Sequence, residues 1–313
     1  MTAAPPRRTT ITIGTRTSRL ALWQARRVAE LIGGANPDVR CRTVKFTTSG
    51  DRTLDRPIPE VGGKGAFTRE LEQALRDHLI DVAVHSLKDL PVEDSPGLVL
   101  GAVCDREDAR DVLVSRNPVT LDSLPPRATI GTSSARRSAQ LLAARPDLRM
   151  APIRGNVDTR VEKARTGEYD AVVLAAAGLK RLGLGSAIRQ HLPLDVMLPA
   201  PGQGALAVQC REDDATTLSL LSSVDDPSCR GATGTERAFL AALGGGCSSP
   251  VGGYATCDGD DPDAHVFFRG AIAAADGSRV IRCMADGTLG EAALLGRQAA
   301  KIALSEGAEE LLP

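Results

Sequence analysis

A cysteine in a glycine-rich segment is the first residue whose surroundings suggest chemistry. Cys247 lies in segment 243–253, between an apolar helical pattern and a predicted strand. Glycine reaches backbone conformations that other residues avoid, and it lets a ligand approach the main chain closely. The segment therefore fits a thiol that is presented to a ligand. It fits equally well a glycine-rich helix end beside a buried, packing cysteine.

A second candidate follows the buried strand predicted for residues 81–85. Ser86, Lys88 and Asp89 come directly after this strand. In open α/β sheets, ligands bind just beyond the carboxyl ends of the strands. Asp89 is therefore predicted to be a functional carboxylate, although a turn residue beside a solvated lysine also fits the local pattern. His85, inside the strand, is predicted to be a packing residue rather than a catalytic base.

Basic and hydroxyl side chains recur where a predicted strand is followed by a helix. Arg16 and Ser18 occupy the first such junction, where a helix N-terminus can receive an anion, and Lys64 precedes a strongly amphipathic helix. Three later junctions repeat the arrangement, and their strand ends share one edge of a sheet if the strands are parallel. These junctions carry Thr132, Ser133, Ser134, Arg136, Arg137, Arg154, Asn156, Arg160 and Arg181.

Such a set of guanidinium groups suits a ligand with several carboxylates or phosphates, because each planar fork can bind two oxygens. The alternative is a set of solvated surface arginines, and only the repeated placement argues against it. The sequence contains no GxxxxGK[ST] loop and no GxGxxG, so a nucleotide is disfavoured as the ligand.

Composition narrows the class of protein. The chain has 313 residues, enough for two or three domains, and its net charge of −1 argues against a nucleic-acid binder that relies on bulk charge. Its seven cysteines form no CxxC pair and no metal-ligand spacing. No apolar run approaches membrane-spanning length, and no signal peptide precedes the first strand. We therefore expect a cytoplasmic protein without a metal, and a monomer by default.

The order of the elements predicts the domains. A loose tail over residues 1–8 precedes the first lobe, which contains residues 9–104 and a returning strand in 202–222. The second lobe is predicted for residues 105–201, so that the chain crosses twice between the lobes. A small α+β domain is predicted for residues 223–313. A mobile loop is predicted for residues 47–63, because glycines, prolines and charges occur there without periodicity.

Eight segments together resemble the porphobilinogen deaminase (hydroxymethylbilane synthase) family. The resemblance extends from about residue 11 to about residue 287, and the segments occur in the order that the family shows. They read GTRTSRLALWQ (14–24), GGKGAF (62–67), VHSLKDLP (84–91), IGTSSARR (130–137), RGNVDTR (154–160), AGLKRLG (177–183), PGQGA (201–205) and GGCSSPVG (245–252).

The resemblance implies a fold and an activity. It implies an α/β protein with two lobes like those of periplasmic binding proteins, made of mixed sheets with flanking helices and a double crossing hinge, plus a small α+β C-terminal domain. It also implies that Cys247 carries a dipyrromethane cofactor through a thioether. Four porphobilinogen molecules are then deaminated and added head to tail, and water releases the linear tetrapyrrole hydroxymethylbilane.

The family's roles are implied for the matching residues of this chain. Asp89 would stabilise the cation left by loss of ammonia and take part in proton transfer, and Gln203 would contact the pyrrole chain or shape the hinge. The remaining residues would bind the acetate and propionate groups of the cofactor and substrate. These are Arg16, Ser18, Lys64, Ser86, Lys88, Thr132, Ser133, Ser134, Arg136, Arg137, Arg154, Asn156, Arg160 and Arg181.

Two other functions compete with this one. A two-lobed solute-binding or sensing protein for a polycarboxylate would explain the arginines without any catalysis. It would not explain Cys247 among glycines or Asp89 after a buried strand. An acyl-transfer enzyme with Cys247 as its nucleophile would need a partnered histidine, which His85 is not predicted to be.

Overall fold

The computed structural model describes residues 9–48, 68–93, 95–246 and 249–312 of the chain. Cys247, Lys64, the tail 1–8 and most of the loop predicted over 47–63 lie outside the described residues. Two compact units contain residues 1–105 with 205–230, and residues 106–204 with 231–313. We call them unit 1 and unit 2, and number strands and helices along the chain.

Unit 1 is built on a mixed sheet of five strands in the order β2-β1-β3-β10-β4. Strands β1, β2 and β3 are parallel to one another, and β10 is antiparallel to both of its neighbours. The returning strand predicted from the sequence is therefore present. The strands are β1 (Thr10–Arg16), β2 (Arg40–Phe46), β3 (Val82–Ser86), β4 (Leu98–Cys104) and β10 (Leu206–Arg211).

Helix α1 (Arg19–Ala35) covers one face of this sheet. Its N-terminus is set by Ser18, whose hydroxyl accepts a hydrogen bond from the Ala21 amide at 3.2 Å. Apolar side chains at helical spacing, including Val28 and Ile32, are completely buried against the strands. The first turn of α1, with the residues that precede it, is thereby held at the end of β1.

Helix α2 (Arg69–Arg76) is shorter than its apolar pattern predicts. Leu71 and Leu75 are completely buried, but the helix ends before Leu79, whose exposed fraction is 62%. His78 has a positive φ of 55°, which breaks the helical spacing. The helical spacing of Leu71, Leu75 and Leu79 predicts one buried face, and this prediction is wrong for Leu79. The other helices of unit 1 are α6 (Ala215–Leu221) and the start of α7 (Pro227–Ala242).

Unit 2 contains a second mixed sheet of five strands, in the order β7-β6-β8-β5-β9. Strands β6, β7 and β8 are parallel, whereas β5 is antiparallel to β8 and β9. Apolar clusters fill both faces of the sheet. Its elements are β5 (Asp111–Val114), β6 (Thr129–Gly131), α3 (Ala135–Ala144), β7 (Arg149–Ala151), α4 (Val157–Thr166), β8 (Ala171–Ala175), α5 (Ala176–Arg181) and β9 (Ile188–His191).

The C-terminal part of unit 2 is a three-stranded antiparallel sheet with helices, as expected for a small α+β domain. Phe239 of α7 packs on Phe268, with ring centroids 4.9 Å apart. The amide of Gly253 donates to the carbonyl of Pro199 at 2.9 Å, so this sheet is bonded to the preceding part of unit 2. The elements are β11 (Val251–Cys257), β12 (His265–Ala273), β13 (Val280–Thr288) and α8 (Ala292–Ser305).

The two mixed sheets and the antiparallel C-terminal sheet confirm the predicted fold class. The chain leaves unit 1 after Asp105 and returns to it at Ala205. Within the described residues, no helix is both long enough and apolar enough to cross a membrane. The same residues contain no group of three side chains suited to hold a metal ion.

Candidate active site

One edge of the unit 1 sheet gathers the first group of candidate residues. Strands β1 and β3 are adjacent and parallel, with Gly14 opposite Ala83. Their carboxyl ends therefore lie at the same edge. Arg16 ends β1 at this edge and Ser18 lies two residues beyond it. Ser86 ends β3 and is followed by the segment Leu87–Asp89.

Hydrogen bonds hold this edge in a defined arrangement. Gln24, a buried residue of α1, donates from Nε2 to the hydroxyl of Ser86 at 2.8 Å. Ser18 keeps its hydroxyl on the Ala21 amide as the helix cap. Both serines thus orient the ends of their strands, and each hydroxyl retains capacity for a further hydrogen bond.

Asp89 is exposed, but the backbone that carries it is fixed. It ends a short 3-10 turn over Leu87–Asp89, and the Leu87 side chain is completely buried. The amide of Leu87 donates to the carbonyl of Ala205 on the way into β10, at 3.0 Å. The Asp89 carboxylate makes no hydrogen bond or ion pair with the described part of the chain. A carboxylate presented in this way is available to a ligand.

His85 is buried inside β3, which confirms its prediction as a packing residue. Burial lowers the pKa of His85 to about 4, and the nearby charge of Arg16 acts in the same direction. The imidazole is therefore neutral near pH 7, and it is not poised as a base next to Asp89.

This pKa predicts how stability depends on pH. The unfolded chain binds a proton on His85 below about pH 6.5, whereas the folded protein resists it down to about pH 4. The free energy of unfolding should therefore rise by up to about 3 kcal/mol between pH 4 and pH 6.5. Urea unfolding of wild type and His85→Gln should show this slope only in wild type. His78→Gln, at an exposed position, is the control that should keep it.

The unit 2 sheet gathers the second group. Because β6, β7 and β8 are parallel, the three junctions that follow them meet at one edge, as expected. Ser133 ties two of the junctions together: its hydroxyl donates to the carbonyl of Ile153 at 2.8 Å and accepts from the amide of Ile153 at 3.0 Å. The junctions that recur along the sequence therefore lie next to one another in the fold.

Two of the arginines are held inside the protein by a carboxylate. Arg136 and Arg137 lie in the first turn of α3, and their side chains are only 4% and 8% exposed. Asp111, the completely buried first residue of β5, accepts from Arg136 at 2.6 Å and from Arg137 at 2.8 Å. Burial lowers the pKa of Arg136, while the charge of Asp111 acts against that shift. These arginines are therefore not surface residues.

Gln203 and Arg181 are also buried. Gln203 is completely buried, and its Nε2 donates to Ala109 at 2.7 Å and to Asp111 at 3.0 Å. The amide nitrogen of Gln203 thus bonds to groups of the protein, which agrees with the alternative that this residue shapes the chain segment. Arg181 is 8% exposed and donates to the carbonyl of Gly204 at 2.8 Å.

The remaining candidates of unit 2 are more accessible. Arg154 and Arg160 are half-buried, and Asn156 is exposed at the N-cap of α4 without a side-chain cap bond. The Nε of Arg160 donates to the carbonyl of Gly155 at 2.8 Å. Gly155 has a positive φ of 109°, which favours glycine at this turn. Thr132 and Ser134 cap the backbone at the start of α3.

Cys247 and Ser248 lie outside the described residues, whereas the segments that end at Gly246 and begin at Ser249 are described. Helix α7 ends at Ala242 and β11 begins at Val251. The amide of Gly246 donates to the hydroxyl of Ser249 at 2.9 Å, and a Cβ on Gly246 would meet none of the described residues within 4 Å. The backbone beside the cysteine is thus turned and has open space next to it, which suits the attachment of a bulky group.

Two residues of the site escape detection by sequence reasoning. Gln24 looks like one polar position in an amphipathic helix, and Asp111 looks like the end of a charged linker. Of the two, only Asp111 could have been recognised from the sequence, because it is a charged residue at the start of the short apolar run DVLV. A buried carboxylate at such a place needs cationic partners, although the sequence does not say which.

The fold and the donor-rich strand ends define an α/β protein with two mixed sheets and an added antiparallel domain. The chain belongs to the porphobilinogen deaminase family. Residues 11–219 match the family's "Porphobilinogen deaminase, dipyromethane cofactor binding domain", and residues 232–305 match the "Porphobilinogen deaminase, C-terminal domain".

Individual relatives are similar over almost their whole length. The porphobilinogen deaminase of Brevibacillus brevis is 46% identical over 300 residues, which cover 96% of this chain and 96% of that protein. The porphobilinogen deaminase of Roseiflexus castenholzii is 47% identical over 305 residues, or 97% and 99% of the two chains. A weak structural likeness, with a TM-score of 0.42 at 16% identity, joins 69% of this chain to 86% of the Bordetella pertussis BvgS periplasmic VFT2 domain.

Proposed function

We propose that this protein is a porphobilinogen deaminase, EC 2.5.1.61, which condenses four porphobilinogen molecules into a linear tetrapyrrole with release of ammonia. Family membership over almost the whole chain supports the activity. The structural observation that carries the proposal is that each unit has a sheet edge formed by the carboxyl ends of parallel strands. The edge of unit 1 presents the accessible carboxylate of Asp89, and the edge of unit 2 carries several guanidinium groups.

The guanidinium-rich edge suits the substrate by charge. Each pyrrole of porphobilinogen carries an acetate and a propionate, so every addition brings two negative charges. Arg154 and Arg160 are half-buried, which strengthens their attraction for carboxylates relative to fully solvated arginines. Arg136, Arg137 and Arg181 add charge from beneath the surface of unit 2. Asn156, with the hydroxyls of Thr132, Ser133 and Ser134, would supply neutral hydrogen-bonding groups.

Asp89 would act on the reacting carbon and on the pyrrole nitrogen. Loss of ammonia from porphobilinogen leaves a cation on the substrate, which a nearby carboxylate stabilises. The same carboxylate can accept the proton that is released when the new carbon–carbon bond forms. Arg16 and Lys88, at the same edge of unit 1, would bind substrate carboxylates, and Ser18 and Ser86 would donate hydrogen bonds. Lys64, outside the described residues, is included in this group on the resemblance alone.

The chain is suited to hold a dipyrromethane. Its donor set matches a group with several carboxylates, and the backbone next to Gly246 leaves open space. Cys247 would hold the group through a thioether, and the bound dipyrromethane supplies the free pyrrole carbon to which substrate is added. The guanidinium groups would bind its carboxylates and keep it oriented.

The reaction can be tested by stoichiometry. Purified protein incubated with porphobilinogen should release four ammonia molecules for each linear tetrapyrrole formed. Binding of porphobilinogen without ammonia release would instead support the solute-binding alternative. That the enzyme is a cytoplasmic monomer, acting without nucleic acid or membrane, stays a prediction.

Arg154→Leu should stall the elongation of the pyrrole chain, because it removes a half-buried cation at the carboxyl end of β7. We expect protein with incompletely elongated pyrrole chains to accumulate and KM to rise at least about tenfold, the factor that corresponds to roughly 1.4 kcal/mol. Intact-protein mass spectrometry after brief exposure to porphobilinogen measures the accumulation. Arg149→Leu, which removes an exposed arginine from the amino end of the same strand, should behave as wild type.

A further inference from the structure

Asp111 is the point at which several candidate ligand residues meet. Its Oδ1 accepts from Arg137 and Gln203, and its Oδ2 accepts from Arg136. Asp111 itself is completely buried at the start of β5. One carboxylate therefore connects the first turn of α3 with the segment that precedes Ala205.

Arg136 has hydrogen-bond donors that do not bond to Asp111. The Nη1 group of Arg136 donates to Asp111 and to the carbonyl of Leu198, at 2.6 and 2.7 Å. Its Nε and Nη2 groups make no hydrogen bond to the described residues. Asp111 thus holds one side of the guanidinium and leaves the other side available, which is the arrangement that a preorganised ligand contact requires.

The charges within the cluster do not balance. Arg136 and Arg137 contribute two positive charges, and Asp111 contributes one negative charge, which leaves one positive charge in a nearly dry environment. Such an excess is costly unless a further anion compensates it. A carboxylate of the substrate or of the bound pyrrole chain would be that anion.

We infer that Asp111 is a positioning residue for the reaction: it orients Arg136 and Arg137 so that their remaining donors meet a ligand carboxylate. The inference rests on the proposed function, in which these two arginines bind carboxylates. Asp111 does not touch the substrate. It acts through the two guanidiniums, and Gln203 supports it with a hydrogen bond to Oδ1.

Asp111→Asn tests the inference by the sign of its effect. The substitution keeps the shape and makes the cluster more positive by one charge. If Asp111 only offset charge, porphobilinogen would bind more tightly to the variant. Positioning predicts the opposite: KM for porphobilinogen should rise about ten- to a hundredfold, and the porphobilinogen-induced rise in Tm should shrink. An unchanged or lowered KM would overturn the inference.

A matched control separates positioning from stability. Asp214 of unit 1 is also an ion-paired aspartate with little exposure, 2.8 Å from Arg211. Asp214→Asn should lower Tm and leave KM unchanged, because it lies at neither strand edge. If Asp111→Asn likewise lowered Tm alone, its role would be structural and the inference would fail.

The double variant Asp111→Asn with Arg136→Met covers the case in which the single variant does not fold. Removing both members of a buried pair is tolerated better than removing one. The double variant should have a higher KM than Arg136→Met alone, because Arg137 loses its orientation. This rise is expected although the double variant has one more positive charge, which by itself would lower KM. Equal values would overturn the inference.

The single variant Arg136→Met separates this inference from the proposed function. A normal KM in Arg136→Met would remove this arginine from the proposed function, and the inference with it. A raised KM there, with a normal KM in Asp111→Asn, would overturn the inference alone.

Discussion

Cys247→Ala should abolish turnover and yield a protein whose mass equals that of its sequence. The reason is covalent: a thioether needs the sulfur, and alanine offers no atom to replace it. Wild-type protein produced in cells that make porphobilinogen should be heavier than its sequence by a two-pyrrole adduct. Intact-protein mass spectrometry of both proteins measures the difference, and an assay of ammonia release measures the turnover.

A second cysteine in the same unit provides the control. Cys257 is half-buried at the end of β11, and its thiol donates to the carbonyl of Gly259 at 3.1 Å. Cys257→Ala should keep both the adduct and the activity. An adduct that persists in Cys247→Ala, or is absent from active wild-type protein, would contradict the assignment of Cys247.

Much of the site could be predicted from local patterns. The strand–turn–helix junctions of unit 2 recur with hydroxyl residues and arginines, and parallel pairing of β6, β7 and β8 brings them to one edge. The same reasoning places Asp89 at the end of β3 and buries His85 within it. These predictions succeed because alternation, apolar runs and turn residues are properties of neighbouring positions.

The partners of the arginines could not be predicted in the same way. Arg136 and Asp111 are 25 positions apart, and Gln203 meets Asp111 across 92 positions. A sequence shows that a residue is charged, but it does not show which distant residue neutralises it. For this reason the sequence does not indicate that Arg136, Arg137, Arg181 and Gln203 are all more than nine-tenths buried.

Burial changes the function that can be expected of each arginine. An exposed arginine such as Arg149 attracts any anion weakly and is screened by salt. A buried guanidinium fixed by a carboxylate has few orientations left, so it favours a ligand whose carboxylate arrives from one direction. Within the proposed function, half-buried Arg154 would therefore serve the initial capture of substrate, and buried Arg136 would orient the bound pyrrole chain.

Asp89→Asn should lower kcat about a hundred- to ten-thousandfold, which is the usual contribution of a positioned acid–base group. The amide keeps the shape of the side chain but carries no negative charge and cannot accept the proton. Because Asp89 is exposed and its carboxylate makes no hydrogen bond or ion pair with the described residues, the free energy of unfolding should change by less than about 0.5 kcal/mol. Steady-state kinetics and urea unfolding measure the two effects.

Two further variants make this result specific. Asp213→Asn removes another exposed aspartate of unit 1 and should leave kcat unchanged, since Asp213 lies beyond β10 and away from the end of β3. Asp89→Glu restores a carboxylate on a longer side chain and should recover part of the lost activity. Should Asp89→Asn retain wild-type kcat, the cation would have to be stabilised by another group, and the assignment of Asp89 would be wrong. Loss of activity together with loss of stability would mean that the carboxylate supports the turn over Leu87–Asp89 and not the reaction.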